Sequence, residues 1–491
     1  MSKFNYLIIS YMVSGFFLIP LLFCGSIAFC QPLVSFKTSQ SLAVVKFLEA
    51  AAGRPEASRT YKEYIRNTLK PEDSAAFMQM VRSFQNIQLE YTYVFSQYPE
   101  KRQRPHSTMD LVRIAAIQAD DVPRFLQRIA GMMPNKAWLE LSEVMPLAAG
   151  YYESMISAKY ASDIQTQIRD LRKSGPQMDE VFQRINRFYG STWQAKQPFT
   201  VAVFGIPGEK GNTTASPHAN SLTLGVMTGG KAGPGLLGVV AHEIGHVLYD
   251  EQEISVQEQL EKAFDESTSP YASYARSYFD EALATATGNG WAYEFLSGGR
   301  DTSEWYNDVY IDRFGKGIYP MVKDYIKRGA VIDGGFVEEA IRIFEREIPE
   351  ALYSYDNLLN AVSFYTDAND YQQYERISNE LHNSFRISSI NSSFPILHQI
   401  SQDRMQHSTE TQLLIVYSDH AANFKSLKKI FPELKKADAK KEQVISFRQK
   451  SGRPVIVVNV RDESRVAPAI RKMASLKAFS PEQPFVYLDD L

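Results

Sequence analysis

Three side chains within one short stretch could do chemistry together. His242, Glu243 and His246 stand in the order His-Glu-Ile-Gly-His inside the segment PGLLGVVAHEIGHVLYD. On a helix, residues four apart lie on one face. Both imidazoles can therefore be aimed at one metal ion. Glu243 follows His242 by a single position and lies beside that ion, where its carboxylate can take a proton from water activated by the metal. The pattern points to metal-assisted hydrolysis.

The flanks supply the helix. Pro234 suits a first helical turn. Val240, Ile244, Val247 and Leu248 form an apolar face that would bury it. Two histidines do not complete a zinc site, which takes a third protein ligand and keeps a fourth position open. The best candidate is Glu281, in the run Phe279-Asp280-Glu281-Ala282-Leu283-Ala284-Thr285-Ala286-Thr287-Gly288. Ser269-Pro270 is a good helix start for it. The small residues Ala282, Ala284, Ala286 and Gly288 would let this second helix pack closely on the first. Thr285, one turn after Glu281, could hydrogen-bond a ligand from behind. Asp250, four residues after His246, is the rival third ligand.

His242, Glu243 and His246, with Glu281 on a second helix, resemble the gluzincin group of zinc metallopeptidases. The resemblance covers roughly residues 197–329. The longer H-E-x-x-H-x-x-G-x-x-H pattern of the metzincins is absent, since Tyr249 and Gln252 stand at its Gly and third His. The gluzincin resemblance implies a zincin-like domain and one Zn2+ per chain on His242, His246 and Glu281. It also implies Glu243 as general base and a peptide or protein substrate. Such enzymes often add an oxyanion donor from a downstream Tyr or His. Tyr310 is the candidate here, with Tyr319 and Arg313 behind it. Strands are expected at 198–204 and 220–227, joined by a loop that carries His218. Residues 222–226 are the candidate edge strand for an extended substrate.

The remaining chain must position this unit. Lys3 precedes an apolar run at 6–30 that reads as an export signal cut near Cys30, or as an uncleaved membrane anchor. Both cysteines, Cys24 and Cys30, fall in that run, so the rest has no disulfide framework, thiol nucleophile or thiolate metal site. A formal charge of −3 argues against a global nucleic-acid binder. The expected location is periplasmic or secreted, or membrane-anchored and facing out of the cytoplasm.

Residues 35–188 read as helical, with helices at 41–52, 71–85, 109–119, 121–132, 138–157 and 177–188. The acidic stretch 251–266 reads as a solvated face or a lid. Residues 337–381 are helical and 384–393 look like a linker. The order strand, helix, strand, strand, helix, strand over 412–488 matches a ferredoxin-like sandwich. That last segment is rich in Lys and Arg, which reads as a solvated surface, with an anionic partner as the alternative.

The whole reads as a mostly helical α+β protein. It has a leader at 1–31, a helical domain at 32–190 and a zincin-like domain at 195–345. A helical connector at 346–400 and a ferredoxin-like βαββαβ domain at 408–491 complete it. The expected function is an exported zinc metallopeptidase; a cell-wall peptide is one possible substrate. The alternative is a non-catalytic cell-envelope binding or assembly protein on a zincin-derived scaffold.

Overall fold

The computed structural model describes residues 32–89, 91–93, 106–194, 197–211, 213–408 and 410–488. The apolar run at 6–30 lies outside them. Among the described residues no helix is long and apolar enough to cross a membrane. Helices hold 60% and strands 14% of the described residues, in a mostly helical α+β fold.

The first sheet is built from β1 (Val34–Thr38), β2 (Phe199–Ile206), β3 (Ala215–His218) and β4 (Ser221–Met227). Its order is β1-β2-β4-β3. The first three of these neighbours run parallel, and β3 closes one edge antiparallel to β4. Successive side chains alternate between faces. Val201, Val203, Leu222 and Leu224 pack into the core of Val240 and Ile244. Ala202, Phe204 and Ile206 pack the other way, against Phe47, Tyr61 and Phe77. Burial on both faces explains why these strands read as continuous apolar runs.

Two expectations change here. Residues 222–226 do not form an edge: β4 has a partner on each side, and the edge strand is β3. The stretch from residue 35 also opens with a strand rather than a helix. β1 joins the sheet through a parallel pairing of Val34 with Phe199. Val34, Phe36, Ile168, Phe182 and Phe188 lie in the same core as Val240, so a boundary at 190 does not separate two cores.

The expected N-terminal helices are present, and the structure adds Arg59–Thr68 and Ala158–Lys173. The latter is mostly polar and buries only Ile164, Gln167, Ile168 and Leu171, which hid it from an apolar-spacing search. Helix α1 (Gln40–Ala51) and α2 (Thr108–Gln118) cover the far face of the sheet.

Two helices carry the expected ligands: α3 (Pro234–Asp250) and α4 (Ala272–Thr285). α4 runs on through a wider π-helical segment, Ala286–Ala292. The two backbones come together at glycine. A Cβ on Gly288 would lie 2.5 Å from the Gly238 carbonyl oxygen and 2.5 Å from the His242 amide nitrogen.

The second sheet contains β5 (Ala361–Thr366), β6 (Ser389–Ser393), β7 (Thr411–Val416), β8 (Gln443–Arg448), β9 (Pro454–Asn459) and β10 (Phe485–Tyr487). The βαββαβ succession is there, with helix α5 (His420–Ile430) after β7 and Val466–Leu476 after β9. The sheet order is β10-β8-β9-β7-β5-β6. In a ferredoxin-like sheet the last strand would pair with the first. Here β10 pairs with β8, and β7 instead accepts β5 in parallel. Both β5 and β6 come from the stretch read as a helical connector and linker. The polar sequence of β6, Ser-Ile-Asn-Ser-Ser, gave no strand signal.

Gly288→Ala should destabilise the protein by roughly 1–3 kcal/mol, because the atoms in its way are backbone and cannot rotate aside. An unchanged urea midpoint for this variant would show that the helix contact is looser than described.

Candidate metal centre

α3 starts with Pro234 in its first turn, after an extended Gly233. Its buried face includes Val240, Ala241 and Ile244, which seats the two histidines deep in the structure: His242 is 6% and His246 9% exposed. Glu281 reaches them from α4. Its Oε1 lies 3.1 Å from His242 Nε2, and its Oε2 lies 3.6 Å from His246 Nε2. The two Nε2 atoms are 3.1 Å apart. A tetrahedral ion with bonds of about 2.0–2.1 Å has donor–donor edges of roughly 3.3–3.4 Å. His242, His246 and Glu281 thus form a group that could hold a metal ion.

Asp280 supports this group, and the sequence reading missed it. Its Oδ2 is 3.1 Å from His246 Nδ1. Consecutive helix residues point about 100° apart, so Asp280 and Glu281 address opposite nitrogens of one ring. A carboxylate behind a ligating histidine fixes its orientation and raises its basicity. The signal was available in the Asp280-Glu281 pair.

The charges follow from this packing. Burial alone would lower the His246 imidazole, but Asp280 and Glu281 outweigh it and raise it well above its ordinary value. Burial would raise the Glu281 carboxyl, but hydrogen bonds with His242 and His246 hold it far below the usual range. Glu243 is half-buried beside them. Desolvation raises its carboxyl, with Glu281 and Asp280 adding to the rise and the two histidines opposing it. That makes Glu243 a stronger base than a solvated glutamate.

The structure puts a different tyrosine at the site. The Tyr306 ring lies nearly parallel to His242, with centroids 6.1 Å apart. Burial first, and then the negative charge of Glu281, raises its phenol well above the ordinary range. Tyr310 turns away: its hydroxyl is 2.7 Å from Ser354 Oγ. Tyr319 packs its ring on Trp305, and Arg313 pairs with Glu350. Neighbouring contacts fix the loop that carries Tyr306. Trp305 N donates to Asp312 at 2.7 Å, and Asn289 donates to the Trp305 carbonyl at 3.2 Å.

Other candidates fall elsewhere. Thr285 is fully buried against Gly315, and among the described residues its hydroxyl has no partner. Thr287 instead faces α3, 3.1 Å from the Tyr189 hydroxyl. Asp250 lies at the end of α3, where its carbonyl accepts from Gln257. His218 closes β3 on the far face of the sheet, its Nδ1 2.9 Å from Asp110. The acidic stretch after Asp250 forms helix Ile254–Glu266, which buries Leu260 and Phe264 and pairs Asp265 with Arg276.

Comparison of the chain with protein-family models, curated proteins and solved structures returned no match.

With no cation bound, a raised His246 is imidazolium at neutral pH. Binding a metal at Nε2 then releases that proton. Metal affinity should rise with pH, about ten-fold per unit while His246 stays protonated. Asp280→Asn should weaken binding by roughly 10- to 100-fold and flatten this slope. Metal titration by calorimetry at several pH values reads both effects.

Proposed function

We propose that this chain is an exported zinc-dependent metallopeptidase. One observation carries the reading: two imidazole nitrogens and a carboxylate oxygen converge at tetrahedral-edge spacing, with Glu243 beside them. An N, N, O donor set buried in this way suits zinc. When bound, Zn2+ would polarise the scissile carbonyl and acidify water.

The chain's own residues supply the rest. Glu243, its basicity raised by burial, accepts the proton of the attacking water and returns it to the leaving amine. The Tyr306 ring lies against His242 and its loop is held in place, so its O–H takes the role first expected of Tyr310. It would bond the oxygen that gains charge in the transition state. β3 packs on α3 and has a partner on one side only. Its outer edge suits an extended peptide, whose backbone can pair with it independently of sequence.

Glu243→Gln should lower peptide turnover by roughly 10²- to 10⁴-fold while about one zinc per chain is retained. Glu281→Ala should lose the metal. Mass spectrometry for metal content and a broad peptide library measure the two readouts. A Glu243→Gln protein with full activity would sink the mechanism. Zinc retention without turnover by the unmodified chain would favour the binding-protein alternative.

Tyr306→Phe should reduce kcat by up to roughly 10²- to 10³-fold with the metal kept. Tyr310→Phe should leave kcat near its starting value.

A further inference from the structure

The C-terminal unit carries a surface that the proposed chemistry does not use. Residues 425–441 hold seven lysines and two acids, Glu433 and Asp438. That is a net of +5 in a chain whose formal total is −3, so the remainder stands at −8. The segment comprises the second half of α5, the short helix Pro432–Lys436 and the turn into β8. Phe424, Leu427, Phe431 and Leu434 anchor it by pointing inward. The lysines are left outside: Lys425, Lys429, Lys435, Lys436, Lys440 and Lys441 are all exposed.

Among the described residues, none of these six ammonium groups is paired with a carboxylate. Elsewhere lysines do pair, as in Lys37–Asp120, Lys173–Asp170, Lys316–Asp312 and Lys323–Glu294. Lys428 is different, since it donates to the Ala437 carbonyl and ties α5 to the following turn. The patch is therefore a fixed, uncompensated field rather than a ladder of surface ion pairs.

We propose that this lysine surface docks the C-terminal unit onto a bilayer rich in anionic lipid. Clusters of four to eight basic residues are the size that such membranes attract. The chemistry favours a diffuse target. No arginine occurs within 425–441, so the planar fork that grips single phosphates is missing. Phe424 and Phe431 face the core, and the exposed ring of Tyr487 beside the segment is capped by the Lys441 ammonium at 4.7 Å, which leaves no row of open rings for successive bases among the described residues. The sequence also contains the apolar run at 6–30, which is long enough to cross a bilayer. A basic surface and an apolar run in one chain make a two-signal attachment, and the second signal would set which face of the body meets the lipid. This inference is independent of the peptidase reading.

The test uses the full-length chain in vesicles of phosphatidylcholine alone, or with about one third phosphatidylglycerol. Amine-reactive labelling is read lysine by lysine by mass spectrometry. The six exposed lysines should label at least about three-fold more slowly on the anionic vesicles. The protection should vanish near 0.5 M salt, roughly where the Debye length falls to a few ångströms. Lys136 and Lys262, exposed lysines outside the C-terminal unit, should label equally on both. In a variant with Lys425→Glu, Lys429→Glu, Lys436→Glu and Lys440→Glu, the remaining Lys435 and Lys441 should lose their protection. Equal labelling on the two kinds of vesicle overturns the proposal. So does protection by a single-stranded oligonucleotide in solution that exceeds protection by the anionic vesicles, which would reassign the surface to nucleic acid.

Discussion

A carboxylate oxygen on one helix lies 3.1 Å from an imidazole on another, and that distance sets the backbone spacing around it. Side chains as short as Glu and His can meet only if their helices nearly touch. Gly238 and Gly288 make this possible, since a Cβ on either one would press against the other's backbone. Gly245, two turns along α3, makes room for a third helix in the same way, since a Cβ there would meet the Tyr189 hydroxyl at 2.9 Å. Helix, sheet and ligand spacing are thus parts of one constraint. Asp280 then fixes the orientation of His246 within it.

What could be read from the sequence was local. The metal helix announced itself through spacing, and Glu281 through the small residues around it, because both signals lie within a few turns. β1 gave a weaker signal: five residues whose partner lies 165 positions away. Strand order is equally non-local. Nothing in the 412–488 segment says that β7 has been claimed by β5, which leaves β10 to pair with β8. Tyr306 was missed for a finer reason. It stands just before Asp308, which caps the next helix by accepting from Tyr310 and Ile311 N–H groups. A shift of four residues across a helix start redirects a side chain, and the cap alone does not reveal which tyrosine turns inward.

The far face of the first sheet is unusually polar for a buried place. Glu49 is fully buried and meets Arg113 at 2.9 Å and Lys46 at 3.0 Å. His218 and Asp110 adjoin them. Buried ion pairs recover much of their desolvation cost only when well paired, and are weak evidence for stability by themselves. Their effect here is on register. A slip of one residue in β3 would swing His218 to the apolar side, beside Leu222 and Val240, and lose Asp110. The polar cluster therefore holds the edge strand to one alignment.

β1 has a further consequence. It covers the outer backbone of β2, whose apolar residues Phe199, Val201 and Val203 fill the core. A fragment trimmed to the motif-bearing region, starting near residue 197, would leave that backbone bare. An uncovered apolar strand recruits strands from other molecules. The smallest piece that can stay soluble and singly folded therefore begins upstream of Val34, and the helices between the two strands come along as an obligatory loop. The boundaries of the chemistry and the boundaries of self-sufficiency differ by some 160 residues.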